Sequence, residues 1–133
     1  MNNYTTILRA HGLKVTPQRL AISDAIGTHG HIKIEDLYTL MLKEFSSISL
    51  ATIYKNINVM VQNSFIQEVK IPHTKSVYEL TKEAHSHLVC SECTEVEDIS
   101  LDIYDFINKA DSQTSFLIQK ADVVFSGICK KCQ

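Results

Sequence analysis

SLATIYKNINVMVQNSFIQEVKIPHTKSVYEL, residues 49–80, decides the fold. Ser49 is a good helix N-cap, and Leu50, Ile53, Ile57 and Met60 recur behind it at helical spacing. The stretch therefore opens as a helix over roughly 50–62 with those four as its inner stripe, leaving Thr52, Lys55 and Asn56 together on the other side. At Asn63-Ser64 the texture changes. Residues 65–71 (FIQEVKI) and 76–80 (SVYEL) read as short strands, joined by Pro72-His73-Thr74-Lys75. Working back toward the N-terminus, residues 3–11 read as a helix stopped by Gly12. Thr16-Pro17 opens a second helix that runs to about Ile26, with Gly27 and Gly30 at its exit. A third helix spans 34–45. Ile34, Leu37, Tyr38, Met41, Leu42 and Phe45 line one stripe, and Glu35 and Asp36 sit in the first turn, where the helix dipole favours acids. Three or four helices followed by a β-hairpin is the layout of a winged helix, whose second or third helix usually enters the DNA major groove.

Forward of residue 80 the chain reads as a separate, smaller unit. A polar joint (81–86) leads to HLVC (87–90), a CSEC turn and the strand-like TEVEDI (94–99). A helix over about 101–109 follows, with Ile103, Phe106 and Ile107 on one face, and a β-rich stretch, 115–128, runs into the closing CKKC. The fold class is thus α+β: an N-terminal winged helix-turn-helix domain over 1–80 and a small C-terminal α/β domain over 81–133.

Composition narrows the function. Of 133 residues, 44% are hydrophobic, enough for a packed core and too many for a disordered chain. No run approaches the ~18 apolar residues of a membrane span. MNNYTTILRA lacks a basic region followed by an apolar stretch, so no signal peptide is expected, and the protein is expected to be cytoplasmic. Residues 1–80 carry eight Lys/Arg against six Asp/Glu, whereas 81–133 carry five against nine. The front half can face phosphates; the back half should not.

The four cysteines, Cys90, Cys93, Cys129 and Cys132, form two C-x-x-C pairs. In a reducing compartment such pairs point to metal before disulfides. Zn²⁺ takes four tetrahedral ligands and binds thiolates strongly, and two C-x-x-C turns complete its shell as a staple across a unit of about 50 residues, a size that packs poorly unaided. Metal-free buried cysteines and a four-sulfur iron site are the alternatives. The second cluster is His85-Ser86-His87. In a strand the two imidazoles face one side. Glu79, Asp98 and His31 are candidate companions, although spacing alone does not connect His31, and each residue by itself also reads as an ordinary surface group. If all five converge, three imidazoles and two carboxylates suit Fe²⁺, Mn²⁺ or Zn²⁺.

Those pieces together resemble the ferric uptake regulator family over nearly the whole chain: LKVTPQRLAI (13–22), HIKIEDLY (31–38), SLATIYKNIN (49–58), HSHLVCSEC (85–93), Asp98 and CKKC occur in the family's order. The resemblance implies a homodimeric, metal-dependent transcriptional repressor. It would have a winged DNA-binding domain, a C-terminal dimerisation domain with structural zinc, and a regulatory metal held by His31, Glu79, His85, His87 and Asp98. A pseudo-palindromic double-stranded operator is the implied partner. Ser49, Thr52, Tyr54, Lys55 and Asn56 belong to the implied recognition helix, Tyr54 being either a thymine-methyl contact or a core aromatic. Lys14, Thr16, Gln18, Arg19 and, in the wing, Lys75 are the implied phosphate contacts. Lys55 stands where iron sensors commonly have arginine.

Within the family the chain is most similar to the peroxide-stress regulators. Asp98 matches their aspartate, where iron sensors more often have glutamate, whereas Glu79 departs from the aspartate usual in peroxide sensors. Ala84 and Ser86 offer no ligands for an additional site, and no histidine follows His87. The implied mechanism uses Fe²⁺ or Mn²⁺ as co-repressor, with Zn²⁺ also able to fill the regulatory site, and oxidation of His31 or His85 releases the operator. Iron- or zinc-responsive repression is the alternative. A zinc-dependent enzyme fits less well. Zinc deaminases need H-x-E and P-C-x-x-C, whereas this chain has H-x-H and Val89 before Cys90, and it has no further thiol. A bare zinc-ribbon interaction module leaves the winged half unexplained.

Overall fold

The computed structural model describes residues 3–133, and the chain divides into two compact units between Lys82 and Glu83. The first unit runs α1 (Tyr4–Ala10), α2 (Pro17–His29), α3 (Ile34–Glu44), α4 (Leu50–Gln62), β1 (Ile66–Val69) and β2 (Val77–Leu80). Local chemistry sets the boundaries. Thr16 Oγ1 accepts from the Arg19 N–H at 3.2 Å with Pro17 at the first helical position, and Ser49 Oγ accepts from the Thr52 N–H at 3.1 Å. Gly12 follows α1 at φ +73°. Leu8, Ile22, Ile26, Leu37, Ile53, Ile57 and Met60 are fully buried, and Phe65 and Ile66 carry the same core under the hairpin. Ile32 adds a short third rung to β2: its N–H donates to Tyr78 O at 3.1 Å, and the Tyr78 N–H returns to Ile32 O at 2.8 Å.

Leu42, expected on the inner stripe of α3, is 36% exposed, and the structure differs from expectation at two further points. Leu50 is 40% exposed, because as the first helical residue of α4 it lies ahead of the turns that seat on the core. And α2 does not leave at Gly27; it continues to His29 and ends at Gly30, φ +77°. Gly27 serves close packing: a Cβ built there falls 2.1 Å from the Tyr4 hydroxyl.

The second unit is a three-stranded sheet in the order β4-β3-β5, with β3 (Ser86–Cys90) central, β4 (Val96–Ile99) antiparallel to it and β5 (Val124–Gly127) parallel. A helix, α5 (Tyr104–Ser112), and a final 3₁₀ turn (Lys130–Cys132) complete it. The α5 helix starts later than the sequence suggests, where Asp102 Oδ1 accepts the Tyr104 N–H at 2.9 Å. Ile103 and Ile107 are half-buried, but Phe106 is 76% exposed and does not share their environment. The stretch 115–123 forms no strand; only β5 is regular there. Leu101, Tyr104, Phe116, Leu117, Phe125 and Ile128 also face outward, more large apolar surface than so small a unit covers by itself. No helix among the described residues is long and apolar enough to cross a membrane.

Replacing Gly27 with alanine forces the Tyr4 ring off α2. Overpacking of this kind costs about 1–3 kcal/mol, so Gly27→Ala should lower the melting temperature by several degrees. Adding Tyr4→Phe should restore part of the loss, and an unchanged thermal transition would refute the contact.

Candidate metal centres and nucleic-acid interface

The cysteine cluster is built by the second unit alone. Cys90 ends β3, Cys93 closes the turn after it, and Cys129 and Cys132 flank the 3₁₀ turn after β5. The pairing of Cys90 with Gly127 in the β3–β5 register brings the two turns together. All four Sγ atoms lie within 4.8 Å of one another, and Cys93 Sγ is 3.7 Å from Cys129 Sγ. A tetrahedral Zn²⁺ with Zn–S near 2.3 Å sets its sulfurs about 3.8 Å apart, so the arrangement fits the ion. The backbone N–H groups of Cys129 and Cys93 point at Cys90 Sγ, at 3.3 and 3.5 Å, and draw its thiol down to about 6. The Cys132 thiol is pushed the other way, up to about 12, first by its hydrogen bond with Cys129 and then by desolvation. One sulfur is ready as thiolate and another resists ionising beside it, the electrostatics of a cluster that a divalent cation would neutralise.

Ligand-type residues form a pair in the winged unit. Because Ile32 bridges Tyr78 in antiparallel sense, His31 falls opposite Glu79. His31 Nε2 lies 2.9 Å from Glu79 Oε2. Glu79 is 1% exposed, and its other oxygen accepts from Gln67 Nε2 at 2.6 Å. Gln67 was missed in the sequence. A turn confined to 72–75 pairs residue 71 with 76 and sets Glu68 opposite Glu79, but the observed register sets Gln67 there, because the strands end earlier, at Val69 and Val77.

A second set lies in the small unit. His87 faces Asp98 across β3–β4, and His87 Nε2 and His85 Nε2 approach the same Asp98 Oδ1 at 3.4 and 3.5 Å. The two rings stand edge to face, centroids 4.6 Å apart. His85 Nδ1 is 2.7 Å from Glu83 O. A carbonyl only accepts, so Nδ1 carries the proton and Nε2 keeps the lone pair a metal needs. Two imidazole nitrogens and a carboxylate oxygen converging at these distances fit a divalent ion of the Fe²⁺, Mn²⁺ or Zn²⁺ kind.

On α4, Tyr54 (43% exposed) and Lys55 project outward, so the Tyr54 ring is not part of the core. Thr52 and Asn56 are half-buried. Ser49 is spent on the cap, where its Oγ also lies 2.9 Å from Thr52 Oγ1. Lys14 is exposed and Gln18 half-buried; Thr16 caps α2. Arg19 Nε donates to Asn56 Oδ1 at 3.1 Å. In the wing Lys75 pairs with Glu35 of α3 and holds that carboxyl below its usual range by hydrogen bonding.

A winged-helix unit carrying outward polar residues, followed by a small sheet domain with a four-cysteine cluster and a histidine–aspartate set, defines a metal-responsive transcriptional regulator. The model of the Ferric uptake regulator family matches residues 10–126, and the chain belongs to that family. Its members are regulators and not enzymes. The peroxide-responsive repressor PerR of Staphylococcus saprophyticus is 30% identical over 130 residues, covering 96% of this chain and 88% of the relative. Among solved structures, the Campylobacter jejuni peroxide stress regulator is 32% identical with a TM-score of 0.74, covering 98% of this chain and 100% of that one. The Vibrio cholerae ferric uptake regulator is 30% identical, also with a TM-score of 0.74, covering 96% and 100%.

If the thiolates hold zinc, Cys90→Ser and Cys129→Ser should purify without it and lose the cooperative unfolding of the small unit, because metal binding to such a site is folding free energy. Elemental analysis with thermal melts measures both. Full zinc content in either variant contradicts the assignment.

Proposed function

We propose that this chain is a peroxide-responsive, metal-dependent repressor that binds double-stranded DNA as a homodimer in the cytoplasm. The observation that carries this reading is the convergence of His85 Nε2 and His87 Nε2 on one oxygen of Asp98. It is supported by the peroxide-responsive relatives and by the aspartate, rather than glutamate, at position 98. The regulatory ligands are His31 and Glu79 from the winged unit and His85, His87 and Asp98 from the small unit. Held by both sets, the two units take one relative pose, and that pose selects the DNA-competent dimer. The outward apolar residues of the second unit supply the dimer contact, so two copies of α4 would read a pseudo-palindromic operator. Tyr54 and Lys55 reach the groove edges alongside Thr52, and Lys14, Thr16, Gln18 and Lys75 hold phosphates.

His31, Glu79, His85, His87 and Asp98 would hold the ion; Fe²⁺ there would supply one-electron reduction of peroxide, chemistry that Mn²⁺ would not. The chain's own part is to hold imidazole rings next to the oxidant. Glu83 O fixes the ring of His85, and Glu79 fixes that of His31. Net transfer of one peroxide oxygen into a ring C–H bond of either histidine, the second oxygen leaving as water, would weaken the nitrogen lone pair as a ligand, let the units separate and release the operator. A second reading, iron-responsive repression, is favoured by Glu79 and by the equal TM-score, 0.74, to the Vibrio cholerae regulator.

Peroxide added to the Fe²⁺ form should put one oxygen on the His31 or His85 peptide and abolish DNA retardation, while the Mn²⁺ form survives. Unmodified histidines together with unchanged binding favour the iron-responsive reading. Separately, His87→Ala and Glu79→Gln should lower metal-dependent operator affinity by 10–100-fold, roughly the cost of losing a metal ligand or its support. Mobility-shift titration at fixed Mn²⁺ measures it, and wild-type affinity in both variants would remove these residues from the site.

A further inference from the structure

The side chains of Arg19 and Asn56 are hydrogen-bonded to each other. Arg19 Nε donates to Asn56 Oδ1 at 3.1 Å, Arg19 Nη1 donates to Lys14 O at 2.9 Å, and Asn56 Nδ2 donates to Thr52 O at 3.1 Å. The backbone of Arg19 is fixed as well. Its N–H caps onto Thr16 Oγ1, and its carbonyl accepts from the Oγ of the fully buried Ser23 at 2.7 Å. Every part of this set belongs to the winged unit, and it ties the start of α2 to the second turn of α4. An asparagine reads adenine by offering its amide oxygen and nitrogen together to one base edge, and an arginine grips guanine or phosphate with a paired N–H face. Both atoms of the Asn56 amide and two donors of Arg19 are engaged inside the protein.

We propose that Arg19 and Asn56 are positioning residues for DNA recognition: the pair fixes how α4 projects from α2, and so aims Tyr54 and Lys55, which immediately precede Asn56 and face outward, without itself touching bases or phosphates. This rests on the reading of α4 as the helix that enters DNA, and it reassigns two residues whose chemistry alone suggests direct contact.

The test uses the full-length, manganese-loaded protein and two labelled duplexes: one selected by the wild-type chain from a random-sequence pool, and a scramble of the same composition. Fluorescence anisotropy over a salt series gives affinity and salt slope for each. Arg19→Ala and Asn56→Ala should each lower the ratio of selected to scrambled affinity roughly tenfold, and the double variant should be no worse than either single one, as expected of a coupled pair. The salt slope should stay at the wild-type value. Arg19→Lys keeps a charge that a phosphate would accept but cannot make both hydrogen bonds, so it should behave like Arg19→Ala. A slope flattened by about 0.9, the signature of one lost phosphate contact, additive losses in the double variant, or wild-type discrimination by Arg19→Lys would each overturn the proposal. Melting temperatures accompany every variant. If Arg19→Ala melts early, Asn56→Ala, at a half-buried position of α4, decides by its ratio. A wild-type chain that enriches no duplex at all would sink the reading of α4 along with this one, an outcome distinct from losing the pair alone.

Discussion

A carboxylate removed from water costs several kcal/mol unless charge or hydrogen bonds surround it, and Glu79 is such a group. Its two oxygens are served from two directions, by His31 Nε2 and Gln67 Nε2, and each of those contacts depends on backbone register. Gln67 is opposite only because β1 and β2 pair Ile66 with Leu80; His31 is opposite only because Ile32 bridges Tyr78. Helix α2 must end at Gly30, in a backbone conformation that favours glycine, for residues 31 and 32 to reach the wing. The helical head and the hairpin are thereby joined at a polar point, and the apolar core of Ile22, Ile26, Leu37 and Ile57 closes beneath it.

The same constraint holds His31 and Glu79 of the winged unit in one fixed geometry. The small unit does the equivalent with different means: a cross-strand pairing places His87 on Asp98, and a backbone carbonyl chooses the protonated nitrogen of His85. For an ion bound as proposed, such preorganisation lowers the ordering cost, since neither set would have to be assembled from mobile side chains.

Much of this was legible in residues 49–80 and in the cysteine spacing. Ser49, the 3–4 spacing of Ile53, Ile57 and Met60, and the Pro72–Lys75 turn point to a helix and a hairpin through local chemistry; the structure keeps both elements but widens the connection to 70–76. The H-x-H alternation and the strand-like TEVEDI imply that His87 and Asp98 share a sheet, although not that they are direct neighbours. What could not be read depends on long-range fit. Gly27 looks like a helix terminator, but its role is set by Tyr4, twenty-three positions away in sequence. The register that selects Gln67 over Glu68 follows from where the strands stop and not from the alternation within them. Phe106 has the right periodicity for α5's buried face, yet burial depends on what covers that face, and a single copy of the chain does not. The stretch 115–123 has β-rich composition without a neighbouring strand to pair it. The engagement of Arg19 with Asn56 has no local signature at all.

The parallel pairing of β3 with β5 has a kinetic side. Antiparallel neighbours such as β1 and β2 close after a short turn, but β5 must find β3 after more than thirty intervening residues have been ordered. Loop-closure entropy makes such late, non-local pairing slow and leaves unpaired edges exposed meanwhile. The two cysteine turns sit at the two ends of that loop, so whatever joins their sulfurs shortens the search as well as stabilising the product. A newly made chain would then mature in two stages, the winged head quickly by local contacts and the sheet domain later, at a rate governed by thiol chemistry rather than by its small hydrophobic core.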